Sequence, residues 1–453
     1  MIRLKHTVWL MMVFSIITST AQENEAWTLE RCVEHAMTHN LDLKIRQNVE
    51  QKAVLDHRQS RWSMAPSVNG WSNSNMNFQR ATNQYNQIES GTTHSTTYGI
   101  SSSLDLFAGF TKQNTMAAKR FYRLATHEST RLEAINLELE VTETYIQLLY
   151  QKDLVTIAEE QMQIIDLEVQ RIEALIASGR LEAVAQAEIN ALHSSAKLEL
   201  NRAQNSYRLL QLKLSQLIEL PSGTRIEPVD AILQWGEPHL SNLTVDKAFS
   251  LTTNYYPSLL QKEHELEFYR RQLMVARGQM SPSLTLNGSY TSGFFSTDTL
   301  PDGKQTPFKT QFDNYRNPAV GLTINIPIFN GKRNNYQIKM SHIDVKTAVY
   351  SLESMQKMVR RELEESLLML ESRYLEFENA SNNLKFATQS FNSYQERFRL
   401  GMINTTEFMN AQNLLMQAKA SQLMAKYSWT LQKRIVQLYT GNPKMIEEVT
   451  PDV

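Results

Sequence analysis

Apolar residues alternate with small polar ones along several stretches of the chain. Val320, Leu322, Ile324, Ile326 and Ile328 are separated by Gly321, Thr323, Asn325 and Pro327, and Leu284, Leu286, Gly288 and Tyr290 keep the same period. Tyr98, Ile100, Ser102, Leu104 and Leu106 repeat it in the first half. A period of two sends alternate side chains to opposite faces, so these stretches read as strands with one apolar face. The other face is polar and nearly uncharged: between Ser67 and Ser103 only Arg80 and Glu89 carry formal charge. The alternation alone fits a soluble sandwich and a membrane barrel equally well.

Elsewhere the period is three to four. Ile135, Leu139, Thr142, Ile146, Leu149, Leu154 and Ile157 follow helical spacing, and Ala183, Ala185, Ala187, Ala191, Ala196 and Ala203 crowd the segment after them. From Phe110 to Leu220 there is no proline and Gly179 is the only glycine. From Lys332 to Thr440 Gly401 is the only glycine, again without proline. Each stretch predicts a long helix, one turn and a second long helix. Residues 110–178 span roughly 100 Å as helix, a length that bundles and coiled coils accommodate and ordinary cores do not. Charged residues such as Glu138, Glu140, Arg360, Arg361 and Glu364 read as a solvated face of these helices.

The punctuation recurs. Gly179 and Gly401 lie 222 residues apart, as do Ala108-Gly109 and Asn330-Gly331. Upstream, Ala65-Pro66-Ser67-Val68 matches Ser281-Pro282-Ser283-Leu284 at an offset of 216, and Thr28-Leu29-Glu30 matches Thr244-Val245-Asp246 at the same offset. The chain is an internal duplication whose six extra residues fall around Asp298 to Thr310. Each repeat (22–243 and 244–453) predicts a helix (Leu29 to Trp62; Val245 to Arg277), two strands and a long helical hairpin.

Residues 1–21 read as a signal peptide. Arg3, Lys5 and His6 precede the short apolar run Val8 to Ile17, and Ser19-Thr20-Ala21 offers a cleavage site. Export tilts the strand reading toward a membrane barrel, and no later apolar run is long enough for a transmembrane helix. With 46 Lys and Arg against 47 Asp and Glu, the chain has no basic field for nucleic acid. The nucleophile elbow, Walker loop, dinucleotide fingerprint and zincin motif are all missing, so the expected protein is not an enzyme and needs no cofactor. Cys32, the only cysteine, shares a helical face with His35 and His39. The three could ligate zinc, but a mixed packing face is the expected role, because a structural zinc site needs a fourth ligand.

Trp27-Thr28-Leu29-Glu30-Arg31-Cys32-Val33, Ala65-Pro66-Ser67-Val68, Ile326-Pro327-Ile328-Phe329-Asn330-Gly331 and Arg397-Phe398-Arg399-Leu400-Gly401-Met402-Ile403-Asn404, taken in order and in duplicate, resemble the TolC-like outer membrane efflux family. The first repeat departs at Leu106-Phe107-Ala108-Gly109, which lacks the proline of Ile326-Pro327. The resemblance implies a mainly α protein with a membrane β part. Each chain would give four strands to a shared twelve-stranded homotrimeric barrel in outer membrane lipid, above a periplasmic α-helical barrel. It implies an exit duct for drugs or other small molecules, driven by an inner-membrane transporter through a periplasmic adaptor. The adaptor-docking tips would be Ser178, Gly179, Arg180, Leu400, Gly401 and Met402. The pore constriction would carry Glu407 and, in the first hairpin, Glu188. Tyr85, Tyr98, Phe294, Phe295 and Tyr315 suit a membrane-interface girdle or simple core packing. The competing readings are a secreted coiled-coil scaffold or adhesin without a pore, and the same channel serving metal or type I protein export.

Overall fold

A computed structural model of the chain describes residues 27–82, 88–229 and 244–441. The signal-peptide reading of residues 1–21, and Tyr85, lie outside the described residues. The first repeat contains α1 (Leu29–His39), α2 (Leu41–Trp62), β1 (Ser67–Thr82), β2 (Ile88–Ala108), α3 (Thr111–Ala177) and α4 (Ala183–Leu217). The second contains α5 (Val245–Tyr255), α6 (Pro257–Gly278), β3 (Ser283–Phe295), α7 (Phe308–Asn314), β4 (Asn317–Asn325), α8 (Arg333–Arg399) and α9 (Thr405–Thr440). Element starts recur 216 residues apart up to β3 and 222 apart from α8 onward.

Two details differ from the sequence reading. The opening helix of each repeat is broken, at Asn40 and at Tyr256. Asn40 is the N-cap of α2, its side chain accepting from the Leu43 N–H at 3.0 Å, and Pro257 occupies the first turn of α6, where its missing N–H costs nothing. The last strand also stops at Asn325 instead of continuing through Ile328. Pro327 has no N–H to donate to a ladder and restricts the residue before it.

The four strands form one antiparallel sheet in the order β1-β2-β3-β4. Ser67 pairs with Ser103 and Ser283 with Asn325. The pairing therefore reproduces the two offsets, and places the six extra residues between β3 and β4. There they form a connector containing α7. Register separates the faces cleanly. Val68, Ile100, Leu104, Leu286, Tyr290, Val320, Leu322 and Ile324 share one face, and Asn69, Ser101, Ser103, Asn287, Ser289, Ala319 and Gly321 share the other. The apolar face is solvent-open: Val320 is 83% and Ile324 66% exposed. A bulge between Asp105 and Phe107 shifts the register near the end of β2.

The described chain divides into two compact units. One holds the sheet, α2, α5, α6 and the adjoining parts of α3, α8 and α9. Its helical core includes Tyr256, Leu259 and Val359, with Leu132, Phe249 and Tyr439 against them, and a second group of Leu370, Trp429 and Val436. Repeats meet within this unit where the β2–α3 turn packs on the end of α6. Gly109 has φ +58° there, and a Cβ on either Gly109 or Gly278 would collide with the other's carbonyl oxygen. Gly109-Phe110 and Gly331-Lys332 both take consecutive positive φ values, so the two turns are alike despite the missing proline.

The other unit holds α1, α4, residues 140–177 of α3, residues 384–399 of α8 and residues 405–427 of α9. Here the fully buried Tyr145 hydroxyl lies 2.7 Å from the Trp27 carbonyl and accepts the Val229 N–H at 3.1 Å. It ties the segments at both ends of the first repeat to α3.

Because the Gly109–Gly278 contact is backbone against backbone, a methyl there cannot be absorbed by a side-chain rotation. Gly278→Ala is expected to cost about 1–3 kcal/mol. Thermal denaturation followed by circular dichroism checks it, with Gly288→Ala, where a Cβ meets nothing within 4 Å, as the variant whose midpoint stays near wild type. Equal midpoints for the two would contradict the close approach.

Candidate functional site

Both long hairpins end in the same turn. Gly179 has φ +70° and Gly401 φ +74°. Arg180 N–H donates to Leu175 O at 2.9 Å and Gly179 N–H to Ile176 O at 2.9 Å. Met402 N–H donates to Arg397 O at 2.8 Å and Gly401 N–H to Phe398 O at 3.0 Å. These paired bonds close the helix C-termini and demand a left-handed residue, which glycine supplies without Cβ strain. Asn404 caps α9 by accepting the Glu407 N–H at 2.9 Å. Ser178, Gly179, Arg180, Leu400, Gly401 and Met402 are all exposed, Leu400 and Met402 to 66% and 67%. Two apolar side chains thus stand in solvent at a turn that needs neither for its own folding.

Behind the turns lie two cores that each draw on both hairpins. Ile165, Ile172, Ile189, Leu192 and Ala196 pack with Ala185 and Met409. Phe391, Phe398, Phe408, Ala411 and Leu415 pack with Ile164 and Ile403. Phe398 and Phe408 are stacked at 4.5 Å. Arg171 of α3 adds a link that sequence patterning missed. Its guanidinium lies 4.8 Å from the Phe398 ring and donates to the Phe398 carbonyl at 3.3 Å, while Glu168 holds its other end at 2.9 Å. A charge at helical spacing reads as a solvated face until the partner helix is known.

Glu188 and Glu407 are both exposed, and among the described residues neither forms an ion pair. Asn410, three residues after Glu407, is exposed as well. The described geometry leaves both carboxylates free to act on solvent or on a solute.

Cys32 is fully buried, and desolvation pushes its thiol up to about 12. His35 Nδ1 lies 2.8 Å from the Ile218 carbonyl oxygen, with its ring edge against Trp27. Among the described residues no group of three or more His, Cys, Asp or Glu side chains could hold a metal ion. The aromatics that suited either a girdle or core packing gather around α7. Phe308 lies 6.1 Å from both Tyr98 and Phe294, and Tyr315 packs on Phe295 at 5.0 Å. Buried Gln311 fixes the connector, accepting the Phe295 N–H at 2.8 Å and donating to the Thr306 carbonyl at 2.8 Å. Among the described residues no helix is long and apolar enough to cross a membrane.

The sheet, with one open apolar face and one uncharged polar face, and the paired helical hairpins define a channel-type fold. Residues 250–442 match the family model described as outer membrane efflux protein. That match spans most of the second repeat and agrees with the family resemblance that the motifs carry. The chain is 22% identical to the outer membrane efflux protein BepC of Brucella suis over 355 residues, 76% of this chain and 73% of BepC. It is 23% identical to the toxin and drug export protein A of Aggregatibacter actinomycetemcomitans over 424 residues, 88% and 83% of the two chains. Its fold matches the crystal structure of the Campylobacter jejuni CmeC outer membrane channel with a TM-score of 0.79 at 15% identity, covering 92% of this chain and 86% of CmeC.

A thiol that is buried and held protonated neither ligates metal readily nor reacts. Folded protein is expected to resist maleimide labelling at pH 8 and to label at Cys32 once denatured. Rapid labelling of the folded chain would contradict the packing role.

Proposed function

We propose that three copies of this chain form an outer membrane exit duct for drugs or other small molecules. The observation that carries this reading is the sheet. Its four strands offer an apolar face to lipid and an Asn-, Ser- and Thr-rich face to water, yet β1 and β4 are both left with bare edges. Four strands cannot close on themselves, and an open edge cannot face hydrocarbon. Three copies pairing β4 to β1 make a twelve-stranded barrel in which every strand is satisfied. A scaffold or adhesin without a pore has no use for an exposed face of Val320, Leu322 and Ile324.

In this reading residues 22–243 and 244–453 are the two structural repeats, and residues 1–21 direct export. The helical hairpins extend into the periplasm as an α-helical barrel. Their exposed tips at Ser178-Gly179-Arg180 and Leu400-Gly401-Met402 dock a periplasmic adaptor, which connects the duct to an inner-membrane transporter. Glu188 and Glu407 become rings of three carboxylates each at the constriction, and attract cations there. The phenylalanine core behind the tips favours closure by apolar packing. The relative named for toxin and drug export supports such cargo, and those named for cation efflux keep metal export as the alternative.

Two variants test the tips and the constriction separately. Gly401→Trp forces a bulky side chain into a left-handed position, and should abolish efflux in cells while trimer yield is unchanged; normal efflux would remove the docking role. In planar bilayers under a KCl gradient, Glu188→Gln with Glu407→Gln should reduce cation preference. Unaltered reversal potentials would show that neither carboxylate lines the narrow end.

A further inference from the structure

The two repeats differ where each short helix packs on its long one. Across the α2–α3 seam, Arg46 meets Glu133 at 3.7 Å, Glu50 meets His127 at 2.8 Å and Asp56 meets Lys119 at 3.0 Å. The matching positions of α6 and α8, 216 and 222 residues on, are Lys262 and Met355, Leu266 and Val349, Gln272 and Ser341. None of these three combinations can form an ion pair across the seam. Just above, Asp105 and Lys112 pair at 2.8 Å in the first repeat, and Pro327 and Asn334 stand in their places in the second.

Two of those replaced pairs, Gln272 with Ser341 and Pro327 with Asn334, line a recess of about 730 Å³ between the end of α6 and the start of α8. Gln272, Gln279, Asn330, Gln337 and Ser341 line it with amides and a hydroxyl, and Arg333 is the one formally charged residue in its lining. Arg333 is exposed, and among the described residues no carboxylate pairs with it. Ser283 and Asn325 also border the recess. They pair with each other on the polar face of the sheet, so the recess opens on the water-facing side. That face has little charge of its own, because Asp105 is neutralised by Lys112.

We propose that this recess is a pore-side binding site for small oxyanions, phosphate- or carboxylate-bearing solutes, held by Arg333. This rests on the channel reading of the sheet. A guanidinium presents five donors in a planar fork that matches an oxyanion, and the surrounding amides donate without adding charge. A positive charge at the mouth of a polar recess raises the local concentration of anions. Three copies place three such sites at the base of the barrel, opposite in sign to Glu188 and Glu407.

The test uses the full-length channel in planar bilayers, with a KCl gradient and inorganic phosphate as the probe. Phosphate should lower chloride conductance in wild type and in Arg333→Lys. Arg333→Gln should lose that sensitivity, and its anion-to-cation permeability ratio should fall by about twofold. The paired substitution Gln272→Asp with Ser341→Lys rebuilds the first repeat's ion pair, fills the recess and should abolish the phosphate effect with Arg333 still present. Channels of Arg333→Gln that match wild type in both readouts would overturn the site and leave the channel reading intact. A wild-type protein that forms no channels would overturn both.

Discussion

A β-sheet has two edges, and every N–H and C=O along them needs a partner. In water that partner is solvent; in hydrocarbon there is none, and each unsatisfied group costs several kcal/mol. This chain supplies an apolar face and a polar face but only four strands, so its sheet can serve in a membrane only as part of something larger. The duplication supplies half of the answer within one chain, since β2 pairs with β3 across the repeat boundary. In the proposed assembly the remaining edges, β1 and β4, would supply the other half between copies. The uncharged polar face follows from the same constraint, because an enclosed lumen is where Asn, Ser and Thr keep access to water.

The helical part obeys a milder constraint. Helices of 67 residues cannot bury all their apolar positions against one partner, and Leu368, Met369, Leu375 and Phe386 remain exposed on a single copy. What the chain resolves internally is the turn. Gly179 and Gly401 close the hairpins with the same pair of backbone bonds, and their equivalence sets the 222-residue spacing seen in the sequence. Side chains at the turns are then released from structural duty, which leaves Leu400 and Met402 available for a partner.

Most of the architecture was legible because each device is local. Period-two alternation marked the strands, the scarcity of glycine and proline marked the hairpins, and the shift from 216 to 222 located the insertion. What escaped was set by single residues or by long-range contact. The breaks at Asn40 and Tyr256 depend on one cap and on Pro257, a helix-start signal that lay inside an otherwise continuous pattern. Helix α7 is held by Gln311 and its aromatic neighbours, which periodicity over seven residues cannot register. The Arg171–Phe398 link joins positions 227 residues apart, and the emptied α6–α8 seam is visible only when the repeats are aligned through the insertion. Of the candidate site, the tip glycines and their exposed neighbours were readable as turn chemistry; the core that braces them was not.

The central claim is that β1 and β4 find their partners on other copies of the chain. Light scattering of the mature protein purified from outer membranes in mild detergent, with detergent mass subtracted, measures this directly. The account predicts a protein mass of three chains that persists on dilution, whereas a stable monomer with the sheet intact by circular dichroism would contradict it.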